Sequence, residues 1–254
     1  MKKIFIIIIF ILLFLSLNVW NKSRPKSIIS AIEKNCEIKS GLLRYQVYVL
    51  WILPVGEAVL EPAIAEDYQG KKVYHLRAVT RTLPVTNHIF KASAIIESYL
   101  ELPDLDPVLF KQSISLPGKP AKESEVIYDQ VNNTIFSNGI KREVLAHTQD
   151  PLSAAYKIRR MDFSKVKSVT MNINTNQRNY ILEGSALEGE LTLKGKKYDL
   201  VYTKSQIRRR EKNNPYHRSQ VNIVLLKADN ENIPLLIKVF ASGFPVTARL
   251  VEIK

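Results

Sequence analysis

The alternation of apolar and polar residues from Gly41 onwards constrains the fold of this chain more than any other feature. Between residues 43 and 51 every second side chain is apolar or aromatic, and between residues 72 and 82 the alternation separates Leu76 from Arg77. Side chains of a β-strand point to opposite faces with a period of two residues. The pattern therefore predicts a protein built from strands.

The same alternation recurs along the chain, and short segments rich in glycine, proline and asparagine separate its occurrences. Further strands are predicted over residues 57–65, 94–101, 108–114, 123–129, 134–138, 168–174, 179–184, 197–203, 220–227, 235–241 and 246–253. Predicted turns are Pro54-Val55-Gly56, Tyr68-Gln69-Gly70, Pro117-Gly118, Asn132-Asn133, Asn138-Gly139, Lys194-Gly195, Asp229-Asn230 and Ser242-Gly243, in which Gly56 and Gly243 have structural roles.

Links of turn length join antiparallel neighbours, because a parallel connection needs a long crossover. About a dozen strands exceed what an open sheet usually carries without curling. We therefore predict an all-β, mainly antiparallel fold, a curled sheet or partly closed barrel, in one domain over residues 41–254.

One segment, residues 149–160, departs from the strand pattern and predicts a short helix. Asp150 suits the N-cap and Pro151 the first helical position. The helix is expected either across one mouth of the barrel or on the concave face of the sheet. The side that packs is predicted to comprise Leu152, Ala155, Tyr156 and Arg159.

The N-terminus carries the features of a secretory leader. Lys2 and Lys3 precede an apolar run that continues to Trp20, but no small-x-small cleavage site follows it. Residues 4–20 reach the short end of the length that spans a bilayer. We expect residues 1–21 to be an uncleaved inner-membrane anchor or a cleaved signal peptide, and residues 22–40 to be a tether. Either outcome places the body in the periplasm.

The chain is basic, with 37 Lys and Arg against 24 Asp and Glu and a formal net charge of +13. An extracytoplasmic body excludes nucleic acid as a partner and leaves anionic lipid or lipopolysaccharide. The alternative is that scattered lysines only keep a β domain soluble. The single cysteine, Cys36, cannot form an intramolecular disulfide and lies too far from the leader for lipid attachment.

No catalytic motif is recognisable. The four histidines are widely separated in sequence, so neither a metal nor a cofactor is expected. Ser153, His147 and Asp150 lie within seven residues at the helix start, where they cannot form the line of a catalytic triad. Asp150 is better explained as a helix cap.

The helix also supplies candidate binding residues. If it closes a cavity, Arg159 or Arg160 could meet an anionic headgroup while Tyr156 touches an acyl chain. The competing interpretation is structural, with Arg159 pairing to a sheet carboxylate such as Glu57 or Asp129.

A second candidate is the basic run Arg208-Arg209-Arg210. Asn213-Asn214-Pro215 follows it and predicts a loop or an irregular hairpin tip. This tip is hypothesised to meet anionic lipid or lipopolysaccharide, and the alternative is a solvated loop.

Several of these segments resemble a bacterial envelope family known as domain of unknown function 3108. Residues 150–159 resemble its central signature. Residues 55–58 are similar to the start of the family pattern, residues 96–99 and 126–129 to later segments, and residues 229–234, followed by Gly243, to its end, in the same order over residues 41–253. The resemblance implies a periplasmic β-rich domain without an assigned activity. Residues 205–219 are more basic than this family pattern.

The expected function is noncatalytic. We predict binding or carrying of an apolar or amphipathic envelope molecule, or scaffolding of an envelope complex. The alternative is a hydrolase acting on a cell-wall or lipid substrate, which a cavity lined by paired polar groups would favour.

Overall fold

The computed structural model describes residues 41–86, 90–175, 177–210, 218–228, 231–241 and 244–254. The leader, the tether, Cys36, Gly243 and the predicted turn Asp229-Asn230 lie outside these residues. Within the described part, no helix has the length and apolar character needed to cross a membrane.

The described residues form one antiparallel sheet, which confirms the predicted fold class. Its strands are β1 (Leu43–Val49), β2 (Leu53–Leu60), β3 (Ile64–Tyr68), β4 (Lys71–Thr82), β5 (Ser93–Glu101), β6 (Asp106–Ser115), β7 (Lys122–Asp129), β8 (Thr134–Ser137), β9 (Ile140–Glu143), β10 (Ser168–Thr175), β11 (Arg178–Leu193), β12 (Lys196–Arg209), β13 (Arg218–Lys227), β14 (Asn232–Ala241) and β15 (Phe244–Ile253). The order across the sheet is β10-β11-β12-β13-β14-β15-β1-β2-β4-β5-β6-β7-β8-β9, and β3 pairs with β4 beside β2.

Predicted turns fall where the backbone needs a positive φ. Gly70, Gly118, Gly139 and Gly195 have φ between 65° and 78°. Asn133 has φ 53°, in the left-handed region that asparagine tolerates. The turn residues in the sequence therefore predicted most of these strand connections correctly.

The first hairpin is the exception, and the prediction there was wrong. The chain turns at Leu50 and Trp51, with φ 52° and 70°, and the predicted turn Pro54-Val55-Gly56 lies inside β2. Gly56 has a packing role instead, because a Cβ there would lie 2.8 Å from the carbonyl oxygen of Arg81. The glycine lets β2 and β4 approach closely.

Two short strands were not predicted separately: β9 was missed, and β3 was merged with β2 in one predicted strand over residues 57–65, while β11 and β12 are much longer than predicted. All four residues of β9 are exposed, so no apolar alternation marks it. β11 and β12 extend to 16 and 14 residues because their pairing continues through segments of mixed character.

The sheet curls until its two edges, β9 and β10, meet without joining as a strand pair. Side chains and the segment that follows β9 bridge the seam instead. Arg142 Nη1 donates to the Gln177 carbonyl at 3.0 Å. Gln149 exchanges backbone hydrogen bonds of 2.8 Å with Asn172 and Asn174 on β10. The structure is a curled sheet and not a closed barrel.

The helix, α1 (Pro151–Arg160), lies on the concave side of this sheet. Leu152 and Tyr156 pack with residues of β4 and β5, while Ala154 and Ile158 pack with residues of β10 to β13. Two sides of the helix are therefore buried. Ala155, predicted to pack, is exposed because it lies between those two sides.

The two ends of the curled sheet differ. At one end, called the mouth, lie the β1–β2, β4–β5, β6–β7, β8–β9, β10–β11, β12–β13 and β14–β15 connections, as the antiparallel order requires. At the other, called the closed end, α1 finishes beside Glu231 and Asn232. The described chain also enters at the closed end, where Leu42 and Lys254 exchange backbone hydrogen bonds of 2.8 and 3.0 Å.

Candidate functional site

On most strands, inward-facing side chains are packed near the closed end and half-buried near the mouth, whereas on β10 and β11 the buried side chains Ile173 and Leu182 reach the half near the mouth. The packed set near the closed end includes Leu43, Tyr45, Leu76, Leu100, Phe110, Val201, Ile223 and Leu250, all of them buried. The half-buried set near the mouth includes Val47, Thr80, Ala94, Ile114, Val239, Val246 and Ala248. We call the concave surface formed by the half-buried set the cup.

The helix explains this difference. Its apolar side chains pack against the closed half of the sheet, in the two clusters that contain Leu76 and Val201. The strands continue beyond those clusters towards the mouth with the same inward alternation. Among the described residues, the wall residues Val47, Ala94, Ile114, Val239 and Val246 lie outside the buried clusters, and Ala248 packs at the edge of one of them.

The wall of the cup is mainly apolar and locally small. Ala94 on β5 lies opposite Thr80 on β4 and Ile114 on β6, and Ala248 lies opposite Ile237. Small side chains at inward positions leave space that larger ones would fill. A polar sector is present on β6 and β7, where Gln112 pairs in register with Ser124.

Two cations share the inward register at the rim of the cup. Lys122 is the first residue of β7, two residues before Ser124, and Arg209 is the last residue of β12, opposite Tyr180. Tyr180 packs against the apolar cluster on the concave side, which fixes the inward register of this pair. The cup thus combines an apolar wall with positive charge at its opening.

The helix N-terminus is anchored by Asp150, which is fully buried. Its Oδ1 accepts hydrogen bonds from the backbone amides of Leu152 (2.8 Å) and Ser153 (2.9 Å). Its Oδ2 accepts from Ser98 Oγ on β5 at 2.6 Å. Burial raises the pKa of Asp150, and the hydrogen bond from Ser98 opposes this effect.

Asp106 forms a second anchor. Its carboxylate accepts from Gln149 Nε2 at 2.7 Å and from Lys157 Nζ at 3.0 Å, and it contacts His147 Nδ1. These groups come from β6, from the segment before the helix, and from the helix itself. Asp106 therefore ties α1 to the sheet near the seam.

Arg159 forms the third anchor, at the end of the helix. Its Nη2 lies 2.8 Å from Glu231 Oε1, and the two side chains are only 6% and 10% exposed. Asn232 Nδ2 donates to the carbonyl oxygens of Arg159 (3.0 Å) and Met161 (2.8 Å). A buried pair of this kind is costly to break from one side, because the remaining charge would be uncompensated.

The partner of Arg159 is thus Glu231 and not the Glu57 or Asp129 named from the sequence. Glu57 contacts Arg81 on the outer face of the sheet. Asp129 accepts hydrogen bonds from Asn132 in the following turn. The sequence could not select among these carboxylates because the pairing joins residues 72 positions apart.

The remaining helix candidates have separate positions. Tyr156 is buried and forms an edge contact with Tyr74, with ring centroids 6.2 Å apart. Arg160 is exposed at the helix end. Because Tyr156 and Arg159 are enclosed by protein, we assign neither of them to the cup.

The basic run does not form one hairpin tip. Arg208 and Arg209 belong to β12, which corrects the predicted loop. Alternation sends them to opposite faces, and Arg208 pairs with Glu183 on the outer face at 3.0 Å. Arg210 follows the strand and is exposed.

The three residues of the nominal triad also have other roles. Ser153 Oγ accepts from the backbone amide of Asp150 at 2.9 Å, completing a capping box. His147 contacts Asp106 instead of Ser153. Among the described residues, no group of three or more His, Cys, Asp or Glu side chains could hold a metal ion.

Comparison with known proteins identifies the family. The family described as "Protein of unknown function (DUF3108)" matches residues 44–250, and the chain belongs to it. No curated protein matches the chain.

Two solved structures are similar in different degrees. A β-barrel-like protein of the domain of unknown function DUF1849 from Brucella abortus has a TM-score of 0.54 at 10% identity, covering 85% of this chain and 98% of that one. At this identity the likeness concerns the fold alone. A DUF1329 family protein from Desulfovibrio piger has a TM-score of 0.17 at 10% identity, over 89% and 90% of the two chains.

Proposed function

We propose that this member of the DUF3108 family binds an apolar or amphipathic molecule in the cup and does not transform it. The observation that carries the proposal is the half-buried apolar wall at the mouth end, beside a closed half that the helix packs tightly. Covering exposed apolar surface is favourable by about 25 cal/mol per Å². A ligand with a long apolar group would supply that cover.

The rim favours an amphipathic ligand with an anionic headgroup. Lys122 and Arg209 share the inward register at the opening, while the apolar wall continues below them. A headgroup at the rim would keep its charge close to water. The apolar part would enter the cup.

The predicted leader supports an envelope location for this activity. Lys2, Lys3 and the apolar run to Trp20 are the parts of a secretory leader. In our proposal the leader holds the chain at the inner membrane, or is removed to release the body into the periplasm. Lipids and other amphipathic molecules are abundant in both settings.

The hydrolase alternative needs a reactive side chain that faces the cup. Among the described residues, the buried carboxylates Asp106 and Asp150 are engaged in holding α1. Ser98 and Ser153 are hydrogen-bonded partners of the helix cap. Gln112 and Ser124 form the polar pair that faces the cup, and neither is a carboxylate or a histidine, so we favour binding over catalysis.

Native mass spectrometry of the full chain, released from its own membrane in mild detergent, tests the proposal. We expect a wild-type species that carries an added apolar molecule. Ala94→Phe, which fills the cup, should lower the ligand-bound fraction about tenfold, since one well-placed aromatic ring removes the space the ligand needs. Ile95→Phe, at the neighbouring outward-facing position, is the matched control and should retain the ligand.

The proposal fails if the wild-type protein carries no ligand under conditions that preserve its fold. It also fails if Ala94→Phe and Ile95→Phe carry the same ligand to the same extent. Circular dichroism of both variants would establish that each keeps the sheet.

A further inference from the structure

The mouth carries exposed apolar side chains on two neighbouring connections. Ile52 and Leu53 of the first hairpin are 77% and 44% exposed, and Val85 and Phe90 of the β4–β5 connection are 71% and 42% exposed. We call these four residues the lip. Isolated exposed apolar residues are ordinary, but a group of them at one opening points to an interaction surface.

Hydrogen bonds to the backbone hold the two connections of the lip together. Leu83 N and Thr86 Oγ1 each donate to the Val55 carbonyl at 3.0 Å, which fixes the β4–β5 connection against the start of β2. Phe90 N donates to the Thr86 carbonyl at 2.9 Å. The four residues of the lip are therefore held in defined positions relative to one another by hydrogen bonds.

The first hairpin is also braced from its other side. Arg249 Nη2 donates to the Trp51 carbonyl at 2.9 Å, and Lys238 Nζ lies 5.0 Å from the centre of the Trp51 ring. Both φ angles at Leu50 and Trp51 are positive, which is uncommon for bulky residues. This bracing keeps Ile52 directed away from the sheet and into solvent.

The described parts of the connections at the mouth carry positive charge. They contain the exposed cations Lys91, Lys119 and Arg210 and no acidic residue, and Glu211 lies outside the described residues. The described connections at the closed end carry both signs, with Glu61, Asp104 and Asp162 alongside Lys165, Lys167 and Lys194. Apolar side chains next to cations are the combination that binds an anionic lipid surface.

We propose that the lip docks the mouth of the cup on an anionic phospholipid bilayer. Ile52 and Val85 enter the interface between headgroups and acyl chains, and Lys91 and Lys119 contact the headgroups. Docking rests on the proposed function for its purpose, because it would let an apolar ligand pass between the bilayer and the cup without crossing water.

The position of the chain entry allows this orientation. The described chain starts at the closed end, opposite the mouth. Residues 22–40 can span roughly 65 Å when extended. This exceeds the roughly 54 Å of β11, the longest strand at 16 residues. The mouth could therefore dock on the bilayer that holds the leader or on a facing one.

The test uses the full chain in vesicles, with Cys36→Ser removing the native thiol. Single cysteines at Ile52, Val85 and Val131 carry an environment-sensitive fluorophore, and lipids with brominated acyl chains act as the quencher. Val131 is the matched control because it is 88% exposed on the β7–β8 connection at the closed end. Brominated lipid is placed either in the host vesicle or in added vesicles, so that the two arms identify the bilayer contacted.

We expect labels at positions 52 and 85 to be quenched in vesicles rich in phosphatidylglycerol, and the label at 131 to be unaffected. Lys91→Ser and Lys119→Ser should each weaken the quenching about fivefold, in proportion to the charge lost near the surface. Lys72→Ser, an exposed lysine of β4 at the closed end, should leave it unchanged.

Equal quenching at positions 52 and 131, or none at 52 in both arms, would overturn the proposal. Undiminished quenching in pure phosphatidylcholine would overturn its electrostatic part. Because this measurement reports lipid contact and not occupancy of the cup, docking and ligand binding can fail independently.

Discussion

Three buried polar anchors decide how the helix is held, and each depends on one carboxylate. Asp150 caps the start of α1, Asp106 binds Lys157 in its middle, and Glu231 pairs with Arg159 at its end. Buried carboxylates are tolerated only when hydrogen bonds or opposite charges compensate their desolvation. The residues of the helical segment are therefore engaged in packing and anchoring.

Asp150 offers a test in which charge and hydrogen bonding can be separated. Asp150→Ala should lower the free energy of unfolding by about 1–3 kcal/mol, because it leaves buried donors unpaired. Asp150→Asn keeps an acceptor for the amides of Leu152 and Ser153, so it should be closer to wild type. Urea unfolding of the full chain in non-ionic detergent, followed by circular dichroism, measures both.

We also expect the stability difference between the wild type and Asp150→Asn to depend on pH. The pKa of Asp150 is raised in the folded state, so the folded protein binds this proton more tightly than the unfolded one. The free energy of unfolding of the wild type is compared with that of Asp150→Asn over a range of pH. As the pH falls through the raised pKa of Asp150 towards 3.8, the ordinary value for the group, the wild-type free energy of unfolding should rise relative to that of the variant. A difference that stayed flat, or fell, over this range would contradict the assignment.

At the scale of elements, the helix works as a filler of one half of the sheet. Ala154 is 4% exposed within the cluster on β10 to β13, whereas Ala155 is exposed. A longer side chain at 154 has no space without moving strands, while at 155 it would extend into solvent. Substitutions at these two adjacent alanines therefore separate the effect of packing on stability from the effect of helix propensity.

Ala154→Leu should lower the free energy of unfolding by about 1–3 kcal/mol through overpacking. Ala155→Leu should change it by less than about 0.5 kcal/mol, because it is a surface substitution with a similar helix propensity. Denaturant unfolding of both variants checks this. Equal destabilisation would mean that α1 is not seated between the two clusters.

Elements with local signals could be predicted from the sequence, and those set by distant partners could not. Asp150-Pro151 marked the helix start, and Asn138-Gly139 marked a turn, because capping and positive φ are local properties. The first hairpin was misplaced because Leu50 and Trp51 are not turn-forming residues. The run Arg208 to Arg210 was misplaced because pairing with β11 extends β12 through it.

At the scale of the whole molecule, alternation alone gave the curled sheet but not the cup. Inward positions in both halves have the same period, so Leu76 and Ala94 could not be distinguished by register. The difference arises because the helix occupies only one half of the interior. The small residues at 94 and 248 were the available signal, and it becomes interpretable once the position of the helix is known.

Photocrosslinking in the native membrane tests the cup most directly. A photoreactive phenylalanine analogue is placed at Thr80, which faces inward on β4, or at its neighbour Val79, which faces outward. We expect position 80 to capture a molecule with a long apolar group, identified by mass spectrometry, and position 79 to capture none. Capture of the same molecule from both positions, or of nothing from position 80 in a folded protein, would contradict it.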